Sequence, residues 1–111
     1  MKLVQFDGFP FVEGGITAAK GFSASGVHCG IRANKSKKDL GLLLADHDCA
    51  AAGVYTLNKV KGAPIAVTKD HIAGGYCRGV IVNSGIANTC NADGIEKAEA
   101  MCRIAAKAVN L

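Results

Sequence analysis

An α/β fold, with a mixed sheet layered against helices, is what this sequence predicts, and three stretches carry the expectation. Residues 79–83, Gly-Val-Ile-Val-Asn, form a compact β-branched run of the kind found in strands buried on both faces. Residues 40–45, Leu-Gly-Leu-Leu-Leu-Ala, make a second apolar run, entered from a polar stretch. Near the end of the chain Ile95, Ala98, Cys102, Ala105 and Val109 recur at alternating spacings of three and four, which is one apolar stripe of an amphipathic helix. With 111 residues, half of them apolar, the chain is long enough for one domain with its own core. Gly and Ala are abundant and Trp is absent, so elements should approach closely through small side chains.

Taken in order, residues 14–30 mix Gly, Ser and Ala with isolated Ile, Phe and Val, a pattern that suits a short strand, a turn and a second strand. Residues 32–39, Arg-Ala-Asn-Lys-Ser-Lys-Lys-Asp, hold four cations and read as an exposed, solvated hairpin turn feeding the strand at 40–45. A further strand is expected at 51–56. Pro64 then opens Pro-Ile-Ala-Val-Thr as a strand start that needs no ladder donor. Thr68 reads as an N-cap and Gly74 as a left-handed C-cap, bracketing one short helix. In the last helix Asp93 and Glu96 match a capping box, and Glu99 can pair with Arg103 one turn on. Because an alternating α/β pattern would place another strand after that helix, the chain is expected to be an incomplete piece. A half-sheet of this kind should expose apolar edges.

Thirteen Lys and Arg against nine Asp and Glu give +4, enough to attract anions but short of a nucleic-acid signature. No apolar stretch reaches the roughly 20 residues of a membrane span, and the opening residues lack a signal core, so a cytoplasmic protein without membrane or nucleic-acid partners is expected. The five cysteines are odd in number, scattered and never in a Cys-x-x-Cys, which indicates reduced thiols rather than a disulfide framework or a zinc site. Among the histidines, His28 and Cys29 would point to opposite faces of a strand, while His47 and Cys49 could share one; neither pair supplies a metal set or a closed nucleophile pair. His71 reads as a surface residue. Cys90, just before a helix, reads as a small thiol without a neighbouring base.

Residues 83–91, Asn-Ser-Gly-Ile-Ala-Asn-Thr-Cys-Asn, join the confident strand to the confident helix and hold an unusual density of hydrogen-bonding groups. Two readings stand level on local chemistry. Such a loop can bond its own backbone, or it can line the ligand crevice at the carboxyl end of a sheet. No Gly-x-Gly-x-x-Gly or Walker pattern names a nucleotide.

The segments at 14–31, 38–46, 51–72 and 80–94, read together, resemble the ornithine acetyltransferase family, the glutamate N-acetyltransferases of arginine biosynthesis. The departures are Ala19 where Pro is usual, Ile86 where Asn is common, and Asn-Ala-Asp after Cys90 in place of Thr-Gly. The resemblance implies the fold of that family, with residues 1–111 the N-terminal part of an α-subunit domain. It implies a longer precursor that cleaves itself and frees a Thr as nucleophile of the second chain. That Thr would take acetyl from N-acetylornithine and pass it to glutamate through an acyl-enzyme. An oxyanion-hole Thr-Gly pair is expected past the last helix, so no catalytic residue falls in this chain, and the piece alone should be inactive. The implied partner is the β chain of the same precursor, in a heterotetramer of two α and two β chains. No cofactor or metal is implied; bifunctional members also accept acetyl-CoA as acetyl donor. Asn83, Ser84 and Asn88 are the expected substrate-contacting residues. The alternatives are a non-catalytic module whose polar loop holds a small anion, and a thiol-dependent enzyme using Cys90.

Overall fold

The computed structural model describes residues 7–111, so the first six of the opening residues read above for a leader lie outside it. A 3-10 turn, Gly15–Ala18, leads into strand β1, Phe22–Val27; strand β2 follows at Leu40–Ala50, helix α1 at Ala63–His71, strand β3 at Tyr76–Asn83 and helix α2 at Gly94–Ala108. The three strands form one antiparallel sheet in the order β1-β2-β3. Phe22 stands opposite Ala45 and Val27 opposite Leu40; on the other side of β2, Leu40 faces Asn83 and Leu44 faces Gly79. Between Leu44 and Cys49 the β2–β3 register shifts. An irregularity of this kind bends the strand and raises its twist. Arg78 bridges that gap by donating from Nε to the Ala45 carbonyl at 3.0 Å and from a terminal nitrogen to the Asp46 carbonyl at 2.8 Å.

Several expected elements differ. Residues 14–30 hold the 3-10 turn and a single strand rather than two strands, because Gly14 and Gly15 take positive φ values and break any extended run there. Residues 51–56 form no strand: after the Ala51 amide donates to the Gly75 carbonyl the chain leaves the ladder, and among the described residues none pairs with it. Pro64 opens a helix instead of a strand. Its missing N–H and fixed φ suit the first turn, where the donor would have no intrahelical partner. Thr68 is therefore inside α1, and its carbonyl accepts the Ile72 amide at 3.1 Å. The left-handed residue past this helix is Gly75, φ +80°, and not Gly74.

Helix α2 begins at the expected place but by other means. Asp93 caps no backbone N–H; its carboxylate pairs with Lys97 Nζ at 2.6 Å, one turn on. Glu99 reaches across to His71 Nε2 at 2.9 Å rather than along its helix to Arg103, which ties α2 to α1. The helix closes with a Schellman arrangement. Asn110 takes φ +58°, its amide donates to the Lys107 carbonyl at 3.3 Å, and the Leu111 amide donates to the Ala106 carbonyl at 2.9 Å.

Helix α1 packs on α2, and α2 leans on β3. The apolar side chains that reach a buried state are few: Val67 of α1 is 4% exposed and Ala45 of β2 is 9% exposed. Of the expected stripe on α2, Ala98, Cys102, Ala105 and Val109 are half-buried, while Ile95 is exposed. Strand β3 was expected to be buried; Val80 and Val82 stand exposed on it. The radius of gyration is 16.0 Å, against about 13 Å for a compact domain of this length. The expected exposure of apolar surface is therefore found, on the sheet and in residues 51–62.

Candidate functional site

At the end of the sheet where β2 begins and β3 ends, the backbone is held by one carboxylate. Asp39 is 2% exposed. Its Oδ1 accepts the Cys29 amide at 2.7 Å and its Oδ2 the Arg32 amide at 2.9 Å. His28 Nδ1 stands 3.2 Å from Oδ2 and 3.0 Å from the Lys37 carbonyl. The Asp39 amide donates to the Val27 carbonyl, and its carbonyl accepts the Ser84 amide, both at 2.9 Å. One residue thus closes the β1–β2 connection and joins it to the start of the polar loop. Two backbone N–H bonds, the Arg32 one foremost and the Cys29 one next, hold the Asp39 carboxyl far below the usual carboxylate range, outweighing the desolvation that would raise it.

Because His28 and Cys29 lie just past β1, the alternation of a strand does not separate them. They converge on Asp39, His28 through its ring and Cys29 through its backbone. This is no nucleophile–base pair. Partial desolvation, and then the hydrogen bond and charge of Asp39, push the Cys29 thiol upward. His47 pairs with Asp46, and the Cys49 thiol donates to the His47 carbonyl at 3.7 Å, so that pair shares no side-chain site. Among the described residues no three His, Cys, Asp or Glu side chains are grouped to hold a metal ion.

The polar loop is anchored at both ends. At its start, Ser84 Oγ accepts a hydrogen bond from Arg32 Nε at 3.2 Å. Gly85, φ +104°, lies under the Arg32 stem so closely that a Cβ there would sit 2.5 Å from Arg32 Cγ. At its far end, the Ala63 amide at the start of α1 donates to the Asn88 carbonyl at 3.1 Å, and Gly62 forms an isolated bridge with Thr89. Asn91 Nδ2 donates to the Ala87 carbonyl at 3.2 Å, closing the turn into α2. Cys90 is exposed with φ +62°.

Of the three residues expected to contact substrate, the structure brings two together. Asn83 and Ser84 line a shallow cleft of about 230 Å³ with Gly26, Lys38, Asp39 and Val82. Asn88 belongs to the other anchor, its Oδ1 lying 2.9 Å from the position a Cβ on Gly62 would take. The residues that sequence reasoning passed over are Asp39 and Arg32, placed there in a solvated turn. The one signal in the sequence was the polarity change at Asp39, the last charge before an apolar run.

Comparison with known proteins follows the same chain. The ArgJ family model matches residues 23–111. The arginine biosynthesis bifunctional protein ArgJ of Halalkalibacterium halodurans is 43% identical over 88% of this chain and 24% of its own length. That of Symbiobacterium thermophilum is 43% identical over 91% of this chain and 26% of its own. Among solved structures, the arginine biosynthesis bifunctional protein argJ of Bacillus halodurans superposes with a TM-score of 0.82 at 43% identity, over 88% of this chain and 51% of that one. Ornithine acetyltransferase of Mycobacterium tuberculosis, solved in complex with ornithine, gives a TM-score of 0.71 at 44% identity, over 77% of this chain and 45% of that one. The chain thus spans about a quarter of the curated relatives and about half of the solved chains.

Proposed function

Since the chain belongs to the ArgJ family, we propose that it forms the front part of the α subunit of an ornithine acetyltransferase and supplies scaffold and one wall of its substrate site. The reaction is acetyl transfer from N-acetylornithine to glutamate. A Thr hydroxyl freed at the start of a second chain attacks the acetyl carbonyl, its own amine taking the proton. The tetrahedral intermediate collapses with loss of protonated ornithine, leaving an acetyl ester on the Thr. The glutamate amine attacks that ester, N-acetylglutamate departs, and the hydroxyl is regenerated. Oxyanion donors stabilise both tetrahedral states more than the flat carbonyls.

A two-chain enzyme fits the lengths of the relatives. The same 88% of this chain corresponds to 24% of one ArgJ protein and 51% of a solved chain, so the solved chain is roughly half as long as the curated protein. We place the β chain of the same precursor as partner, in a heterotetramer of two α and two β chains, in the cytoplasm. No cofactor enters the scheme, and acetyl-CoA serves as a second acetyl donor where the enzyme is bifunctional.

The observation that carries the reading at residue level is the anchored polar loop, whose Asn83 and Ser84 line the cleft while the Ser84 amide is met by the Asp39 carbonyl and the Asn88 carbonyl by the Ala63 amide. Asn83 and Ser84 then offer an amide and a hydroxyl to the polar ends of an amino-acid substrate, with Asn88 supporting the loop at α1. The test is acetyl transfer from N-acetylornithine to glutamate by the full-length gene product. Transfer with a raised KM in Asn83→Ala and Ser84→Ala is the expected result. No transfer by the wild type would return the loop to a non-catalytic anion-binding module, and loss of transfer in Cys90→Ala would favour thiol chemistry.

A further inference from the structure

We infer that Asp39 is a positioning residue: its carboxylate holds the turn at residues 28–32 so that the Arg32 side chain fixes Ser84 at the mouth of the cleft, where an amino-acid substrate binds. The part of this inference that concerns substrate rests on the acetyltransferase reading; the part that concerns the loop does not.

The geometry argues in three steps. The Asp39 carboxylate is buried and carries acceptor sites that water does not reach; two backbone N–H groups donate to it, and the His28 ring stands 3.2 Å away. Those two amides belong to residues 29 and 32, so the carboxylate sets the path of the chain between them and hence the point from which the Arg32 side chain departs. From that point the guanidinium stem crosses Gly85, and Nε reaches Ser84 Oγ at 3.2 Å. Ser84 is bound a second time through its own amide, to the Asp39 carbonyl at 2.9 Å. The hydroxyl and the backbone of Ser84 are therefore both referred to the same aspartate, one directly and one through Arg32. Gly85 is required in the middle of this contact, since any side chain there would meet the Arg32 stem. Arg32 itself is exposed, so it contributes little to the core and much to the placement of the loop.

Backbone amide exchange in the full-length protein tests the inference without any assay. Arg32→Ala leaves every bond to the Asp39 carboxylate in place, because Arg32 donates to it from its backbone. It should accelerate exchange at Ser84 and Gly85 by about tenfold while leaving Cys29 near its wild-type rate. Asp39→Asn should accelerate Cys29, residue 32 and Ser84 together. Should Ser84 keep its wild-type rate in both variants, the positioning role is overturned, and Asp39 is an organiser of its own turn only. In the transfer assay, Arg32→Ala should raise KM for an amino-acid substrate several-fold and leave kcat within about twofold. An unchanged KM in an active enzyme overturns the link to substrate, whereas a wild type without transfer removes the acetyltransferase reading and leaves the exchange result to decide the rest.

Discussion

Strand β2 enters the sheet through Asp39, whose buried carboxylate accepts two backbone N–H groups with the His28 ring beside it, whereas at its other end the strand runs out into residues 51–62, where Val54 and Leu57 are 100% and 96% exposed. The first end is held by directed polar bonds, those to the Asp39 carboxylate coming from groups close in sequence and those to Ser84 from across the sheet. The second end offers apolar side chains, Val54 and Leu57, that stay uncovered among the described residues; Tyr55 folds back over Gly53, with its hydroxyl buried and unbonded. The difference teaches that local polar pinning can complete one end of a sheet without a core, while an apolar segment needs packed neighbours to become buried.

The sharpest way to break the comparison is Asp39→Ala. It leaves two backbone N–H groups buried without an acceptor, and the thermal midpoint of the protein should fall on the order of 10 °C. The acid limb of the stability curve comes next. The folded-state pKa of Asp39 is depressed, so its stabilisation is fully present above the unfolded carboxylate value near 4 and is lost progressively as pH falls below that, through the folded value. Asp39→Asn, itself less stable at pH 7, should therefore lose less further stability than wild type between pH 4 and pH 2, as followed by circular dichroism.

A third expectation compares buried with open apolar groups. Val67→Ala on α1 should cost about 2 kcal/mol in denaturant unfolding. Leu57→Ser on the open segment should stay within about 0.5 kcal/mol in the chain of residues 1–111. A large cost for Leu57→Ser in the full-length protein, read by the same measurement, would mark where the open end becomes covered. The smallest effect is expected of Lys97→Ala, which removes an exposed pair with Asp93 and should move the midpoint by less than about 2 °C.

Much of the fold was legible from short apolar runs and one helical repeat. The expected strand residues 79–83 and 40–45 lie inside β3 and β2, which reach back to Tyr76 and on to Ala50, and the helix starts at 94 as its repeat places it. Pro64 misled because a proline without a ladder partner and a proline in the first turn of a helix look alike in sequence; the structure places it in the first turn of α1. Thr68 misled for the same reason, since its capping chemistry is real but unused within a helix that starts five residues earlier. Asp93 and Glu96 have the spacing of a capping box, yet Lys97 competes for the carboxylate and takes it. At the candidate site, the density of polar groups at 83–91 pointed to the loop. Asp39 was passed over because its one signal, the last charge before an apolar run, looks the same for a buried carboxylate as for the end of a solvated turn.

The apolar runs, the one helical repeat and the segments shared with the ornithine acetyltransferases were enough, by themselves, to place this chain in its α/β class and its family. Those are properties of short stretches, read from residues a few positions apart. Which acceptor each free N–H would find was settled only in three dimensions. The Asp39 carboxylate, Arg32 and Ser84 come from positions up to 52 residues apart, and a hydrogen bond forms only where donor and acceptor are brought within about 3 Å along a suitable angle. Pairing of that kind depends on how β2 and β3 lie side by side, and no local pattern encodes it.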